Sequence, residues 1–271
     1  MKKLITFTFL CLASLVYCQD KTYSDSELKQ KLDSILVEGN LLYSLENAAW
    51  HSSDLFRENR ELSNLSSFYL TYKKENSVSV VYLNKAADKV LADYLFINDD
   101  QKPNRVLTNE RPLTELENDL KKVRLKVIEQ LQDPKYQVGN YDGYSLNIIT
   151  LPANNEQYKT YLISGTSKIG VIPFGNDYLF ISDKEGIITE YKKFHSRIIP
   201  TLSPEDGATL NMTTHSHLRN NPFISSTDIC TFRLYAPFFP SLKEFSVYSP
   251  AINAYMIYNL KDQKISVDKK K

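Results

Sequence analysis

The chain has 271 residues, with 33 lysines and arginines against 32 aspartates and glutamates. This length is enough for one large domain or two small ones. Because the charge is balanced and no extended basic segment is present, we expect no nucleic-acid partner. The 18 tyrosines and 13 phenylalanines, together with many β-branched residues, indicate substantial sheet content.

The N-terminus has the pattern of an export signal. Two lysines precede an apolar segment, residues 4–16, that is too short to anchor the chain across a bilayer. Cleavage before Gln19 would make residues 1–18 a signal peptide. An alternative assigns Cys18 as a lipid-attached lipoprotein cysteine, although Tyr17 is larger than the residue that normally precedes one. We expect an exported protein, periplasmic or secreted, with no integral membrane segment in the mature chain.

Two helices are predicted by capping signals that precede helically spaced apolar residues. Residues 24–27 read Ser-Asp-Ser-Glu, a capping-box pattern, and an apolar face follows as far as Leu42. Residues 114–117 repeat the signature, and an apolar stripe continues to Leu131 before Pro134 ends the helix. We expect both apolar faces to be buried in the core.

The remaining segments predict mostly strands. Residues 68–72 and 78–83 predict a hairpin, and the polar, proline-containing residues 98–112 form either a linker or a long loop inside one domain. Further strands are predicted at residues 145–151, 160–164, 170–174, 178–182, 187–191 and 208–214. Residues 227–235 fit a helix with Ser226 as its N-cap, and residues 245–248 and 254–259 fit a closing hairpin.

These elements indicate an α+β fold in which a mixed sheet is flanked by helices. We expect an N-terminal α/β region of unknown role over residues 19–112 and a second domain over residues 113–271. Cys230 is the only cysteine of the predicted mature chain, so it cannot form an internal disulfide. Its apolar neighbours predict a buried thiol.

The strongest chemical signal is the spacing H-x-H-x7-S-x-x-D, formed by His215, His217, Ser225 and Asp228. Histidines two residues apart on a strand face the same side of the sheet. A carboxylate at the start of the following helix would complete a three-ligand zinc site with its fourth position free for water. Ser225 is a neutral donor suited to an oxyanion.

The motif and the elements around it resemble the JAMM (JAB/MPN) zinc metallopeptidases, whose signature is H-[ST]-H-x7-S-x-x-D. The resemblance extends from near Leu113 to Leu260. It implies a JAB/MPN-like C-terminal domain in which His215, His217 and Asp228 bind Zn²⁺. In the family the serine that matches Ser225 orients the zinc water or the developing oxyanion.

The sequence departs from the family at the upstream glutamate that takes the proton from the zinc water. The matching strand is residues 161–165, and the expected position falls near Tyr158. Glu156 lies two residues earlier and would keep the same strand face, so it is the predicted catalytic base. Glu190 and Asp177 are alternatives. His195 either faces the same cleft or is a surface or hydrogen-bonded histidine.

We therefore expect an exported zinc-dependent hydrolase that cleaves an amide bond of a peptide or isopeptide, a metallopeptidase of JAMM type. Its partner would be a peptide or cross-linked peptide substrate. The alternative is a non-catalytic extracytoplasmic binding module with a structural or degenerate metal site. A glutamate within hydrogen-bond reach of the metal position would separate the two hypotheses.

Overall fold

The computed structural model describes residues 23–204 and 208–269, which form a mixed α+β fold made mostly of strands. The predicted signal peptide, residues 1–18, lies outside the described residues. Within the described ranges, no helix is both long and apolar enough to cross a membrane.

Helix α1 (Asp25–Glu58) is followed by a short helix α2 (Arg60–Leu65). The hydroxyl of Ser24 accepts a hydrogen bond from the backbone N–H of Glu27, whose side chain accepts one from the backbone of Ser24. The predicted capping box is therefore confirmed, and α1 continues well beyond the predicted apolar face.

The N-terminal sheet packs under α1 and consists of antiparallel strands in the order β1-β2-β3-β4, with β5 also paired to β3. The strands span Ser66–Lys74 (β1), Ser77–Asn84 (β2), Lys89–Ile97 (β3), Arg105–Leu107 (β4) and Arg111–Pro112 (β5). Residues 98–112, predicted as a linker or a long loop, therefore run along this sheet.

Helix α3 (Glu115–Gln130) has Thr114 as its N-cap and a capping box with Glu117, as predicted. The second sheet follows it and has the antiparallel order β10-β9-β7-β6. A separate antiparallel pair, β8 with β11, lies beside it. The strands span Ser145–Pro152 (β6), Tyr158–Gly165 (β7), Val171–Gly175 (β8), Tyr178–Ser182 (β9), Ile188–Lys193 (β10) and Ile198–Leu202 (β11).

The last sheet has the order β12-β13-β14-β15 and contains a parallel pair. Its strands span Met212–Ser216 (β12), Glu244–Ser249 (β13), Ala254–Asn259 (β14) and Lys264–Lys269 (β15). A parallel pair needs a crossover, and helix α4 (Ser226–Tyr235) provides it between β12 and β13. This connection brings the end of β12 and the first turn of α4 together.

Helices α1 and α4 pack directly against each other near the middle of α1. A Cβ at Gly39 would lie 2.8 Å from Cβ of Ile229 and 3.1 Å from the backbone oxygen of Ser226. The missing side chain at position 39 therefore permits this close approach. Cys230, in the same helix, has a free, buried thiol, as predicted.

One large cluster of buried apolar side chains joins α1, strands of all three larger sheets and of the β8–β11 pair, and α4. It includes Leu42, Val80, Tyr161, Phe232 and Phe245. The predicted division of the chain at residue 112 stays a prediction, and the buried apolar cluster contains residues from both sides of it.

Candidate metal centre

Three of the four histidines of the chain meet one aspartate in the interior. His195 lies in the connection after β10, His215 on β12, and His217 directly after that strand. Asp228 lies in the first turn of α4. Their side chains are at most 5 % exposed, so the cluster is shielded from solvent.

The four side chains direct one potential ligand atom each toward a common point. The Nε2 atom of His217 lies 2.8 Å from Nε2 of His195 and 3.2 Å from Nε2 of His215. Oδ1 of Asp228 lies 3.4 Å from Nε2 of both His195 and His215. A tetrahedral zinc ion with bonds of about 2.0–2.1 Å separates its ligand atoms by about 3.3 Å. These four distances are close to that separation, and all four ligand atoms lie within 4.8 Å of one another.

Hydrogen bonds on the outer side of two imidazoles leave their inner nitrogens available as ligands. Nδ1 of His217 lies 2.6 Å from the carbonyl oxygen of Phe223, and Nδ1 of His195 lies 2.6 Å from Oδ1 of Asp177. A carbonyl oxygen only accepts, so Nδ1 of His217 must carry the proton. The lone pair of its Nε2 then faces the cluster. The carboxylate of Asp177 favours the same arrangement at His195, and such outer partners are typical of metal-binding histidines.

The carboxylate of Asp228 has one satisfied oxygen and one orphaned oxygen. Oδ2 accepts hydrogen bonds from the backbone N–H and the hydroxyl of Ser225, at 2.9 and 2.7 Å. Oδ1 is fully buried and finds no hydrogen-bond partner among the described residues. An unsatisfied buried carboxylate oxygen is costly in free energy. A metal ion at the point shared with the imidazoles would satisfy it.

The electrostatics of the cluster also fit a cation. Burial alone would raise the pKa of Asp228, but His195 and His215 hold it well below its usual range. Burial lowers the pKa of His215, which favours the neutral ligand form. Burial would also lower the pKa of His195, yet Asp177 and Asp228 together raise it to about 9, so without metal this imidazole carries a proton at neutral pH that a bound ion would displace. Two buried carboxylates beside three imidazoles would be balanced in charge by a divalent ion.

The structure brings His215, His217 and Asp228 together, as the sequence predicts. Ser225 lies beside them, but as the N-cap of α4, the position predicted for Ser226. Its hydroxyl donates to Oδ2 of Asp228 and accepts from the backbone N–H of the same residue. In this arrangement Ser225 orients the carboxylate.

Glu156, the predicted catalytic base, does not lie near the cluster. It is exposed in the turn before β7, has a φ of 56°, and pairs with Lys184 at 3.3 Å. Tyr158 at the start of β7 pairs with Ser182 of β9, at the far end from Asp177. Glu156 does not share a strand face with Tyr158, because β7 begins only at Tyr158 and an αL residue does not keep the alternation of a strand.

The other two candidates for a base differ in position. Glu190 is exposed on β10. Asp177 is buried and adjoins the cluster through His195, but its second oxygen accepts a hydrogen bond from the hydroxyl of Thr227. Both oxygens of Asp177 are therefore engaged. No other aspartate or glutamate of the described residues belongs to the cluster.

Sequence reasoning did not assign His195 as a ligand or Asp177 as its partner. Both lie in short connections between strands, so no spacing rule relates them to His215. One signal was available. Three of only four histidines fall within residues 195–217.

No protein-family model matches the chain, and no curated protein matches it. Among solved structures, it is similar to a DUF2874 family protein from Bacteroides ovatus ATCC 8483. The two are 11 % identical, the match covers 54 % of this chain and 84 % of that one, and the TM-score is 0.17. A likeness this slight identifies neither a fold family nor a function.

Proposed function

We propose that this protein is a zinc-binding module with a closed metal centre. By closed we mean that His195, His215, His217 and Asp228 supply all four ligands, with no position left for water. The observation that carries the proposal is the convergence of four buried ligand atoms within 4.8 Å, one of them the orphaned Oδ1 of Asp228. Structural zinc sites have four protein ligands in tetrahedral geometry, whereas catalytic sites keep one position open.

The role of such a centre would be to connect segments that are distant along the chain. The ligands come from the β10–β11 connection, the end of β12 and the start of α4. An ion bound by all three segments stabilises the folded state, because the unfolded chain offers no preformed site. Imidazole nitrogens and a carboxylate suit zinc among the common divalent ions.

The surroundings of the cluster support a non-catalytic role. A zinc hydrolase needs an open coordination position and a proton acceptor within reach. His195 would take the fourth coordination position, and both oxygens of the Asp177 carboxylate already have hydrogen-bond partners. The imidazoles are also too buried for a peptide to reach them without rearrangement.

A zinc-dependent hydrolase of JAMM type is the second candidate. The spacing H-x-H-x7-S-x-x-D favours it, together with a strand, helix and parallel strand in the expected order. In this hypothesis zinc would act as a Lewis acid on the amide carbonyl of an exported peptide or isopeptide substrate. His195 would have to leave the cluster to open a coordination position.

Elemental analysis of the purified protein tests metal binding. We expect about one zinc ion per chain, and we expect His217→Ala to lose most of it. The matched control is His51→Ala, since His51 is the one histidine outside the cluster. An unchanged metal content in a His215→Ala, His217→Ala double variant would refute the site.

A second experiment separates the two candidates. The closed centre predicts that His195→Ala weakens zinc binding and that the zinc-loaded native protein does not hydrolyse peptide or isopeptide substrates. The hydrolase hypothesis predicts chelator-sensitive hydrolysis that His217→Ala abolishes, with zinc binding little affected by His195→Ala. Hydrolysis by the native protein would overturn the closed, non-catalytic centre.

A further inference from the structure

We propose that Asp177 is a positioning residue that holds His195 in the fourth ligand position and so keeps the metal centre closed. The inference rests on the proposed function. In this proposal, the hydrogen bond between Asp177, which is not a ligand, and His195 keeps the metal centre closed.

Asp177 bridges two segments that carry ligands. It is 2 % exposed and lies in the short connection between β8 and β9. Its Oδ1 lies 2.6 Å from Nδ1 of His195, and its Oδ2 accepts a hydrogen bond from the hydroxyl of Thr227. Thr227 directly precedes the ligand Asp228. The same carboxylate therefore contacts one ligand and the neighbour of another.

His195 depends on such a contact more than the other two histidines do. The backbone of His215 belongs to β12, opposite Val247, and the N–H of His217 donates to Tyr248 at 3.0 Å. The sheet therefore fixes both of those residues. His195 lies outside any strand, and its ring nitrogens contact the side chains of Asp177 and His217. The hydrogen bond to Asp177 fixes both the tautomer and the orientation of the ring.

The backbone is shaped to bring Asp177 close to His195. Gly175 has a φ of +79°, and a Cβ there would lie 2.3 Å from the carbonyl oxygen of Arg197. The N–H of Asn176 donates to that same oxygen at 3.1 Å, and the N–H of Phe194 donates to the carbonyl of Asp177 at 3.1 Å. The β8–β9 connection is thus joined to the segment that carries His195 by backbone hydrogen bonds on both sides of the side-chain contact.

Loss of the Asp177 carboxylate should release His195 and open one coordination position. Removing an outer partner of a metal-binding histidine typically lowers metal affinity about 10- to 100-fold. We expect a loss of this size in Asp177→Ala. We also expect a change in coordination, because water can replace an imidazole that is no longer held.

The test uses Co²⁺ as the probe, since its visible absorption distinguishes tetrahedral from higher coordination. Native protein should show the intense bands of a tetrahedral ion. Asp177→Ala should bind Co²⁺ about 10- to 100-fold more weakly, with bands shifted from their native positions because a water ligand replaces one imidazole. The matched control is Asp142→Ala, which removes an exposed aspartate from a loop.

A second pair of variants tests the bridge without removing the buried carboxylate. Thr227→Val removes the hydroxyl that donates to Asp177 but keeps the shape of the side chain. Thr227→Val should weaken Co²⁺ binding by less than Asp177→Ala does. Thr227→Ser, which keeps the hydroxyl, should have the native affinity and spectrum. This pair decides the question if Asp177→Ala does not fold, because a purely structural defect would not be rescued by the serine hydroxyl alone.

The outcomes separate this inference from the proposed function. If native protein binds neither Zn²⁺ nor Co²⁺, both are wrong. If native protein gives the tetrahedral spectrum and Asp177→Ala has the same affinity and spectrum, the metal centre stands and the role of Asp177 is refuted. If Asp177→Ala does not fold, the same result for Thr227→Val refutes that role. A weakened, altered site in Asp177→Ala with a native site in Asp142→Ala supports both.

Discussion

Replacing Glu46 with glutamine should stabilise the protein at neutral and alkaline pH but not at acidic pH. Glu46 lies on α1 and is buried, and its Oε1 has no hydrogen-bond partner among the described residues. Burial raises the pKa of this carboxyl to about 7, against partial opposition from Asn147 and Arg124. The folded state therefore holds a proton that the unfolded state releases near its ordinary pKa.

The sign and size of the effect follow from this difference. Because the pKa of this carboxyl is raised in the folded state, the free energy of unfolding falls as pH rises from the unfolded pKa, 4.5, through the folded pKa, about 7. At about 1.4 kcal/mol per pH unit, the total is about 3 kcal/mol. Glutamine is neutral at every pH, so the free energy of unfolding of Glu46→Gln should exceed that of native protein by a margin that grows to about 3 kcal/mol at pH 8.

Urea denaturation at a series of pH values between 5 and 8.5 measures this margin. Comparing the two proteins at each pH removes other pH-dependent contributions that they share. Glu58→Gln, an exposed glutamate on the same helix, is the matched control and should show no such trend. A difference between Glu46→Gln and native protein that stays constant over this range would refute the reasoning.

Three further predictions concern packing, metal removal and processing. Gly39→Ala should lower the free energy of unfolding by about 1–2 kcal/mol, because overpacking against Ile229 outweighs the gain in helix propensity. The control Val37→Ala, at an exposed site of the same helix, should change the free energy of unfolding by less than about 0.5 kcal/mol. Calorimetry measures both variants. Chelation of zinc-loaded protein should lower its melting temperature, and His217→Ala should show no further decrease when the chelator is added. Mass spectrometry of the native N-terminus should give a chain that begins at Gln19. A retained Met1 would contradict export, and a lipid on Cys18 would identify a lipoprotein.

Local signals in the sequence predicted much of the fold. The capping boxes at Ser24 and Thr114 mark the starts of α1 and α3, and the strand at residues 178–182 has the predicted bounds. Such features depend on neighbours a few residues apart, so they can be read directly from the chain. Strands β3, β11 and β15 were not predicted.

The metal centre was predictable only in the part that one motif encodes. His215, His217 and Asp228 lie on a strand, loop and helix of fixed length, so their spacing carries the geometry. His195 and Asp177 reach the cluster through tertiary contacts among β8, β9 and β10. Their positions depend on how sheets pack, which sequence spacing does not specify. The prediction of Glu156 as the base failed for a local reason, because a turn precedes β7 and interrupts the assumed strand.

Zinc K-edge X-ray absorption on the zinc-loaded native protein tests the central claim most directly. The closed centre predicts four nitrogen or oxygen ligands at about 2.0–2.1 Å, with scattering from three imidazoles. The same measurement on His195→Ala should show one imidazole fewer. Absence of stoichiometric zinc, or a native spectrum with two imidazoles and an added water ligand, would contradict the closed His195, His215, His217 and Asp228 centre.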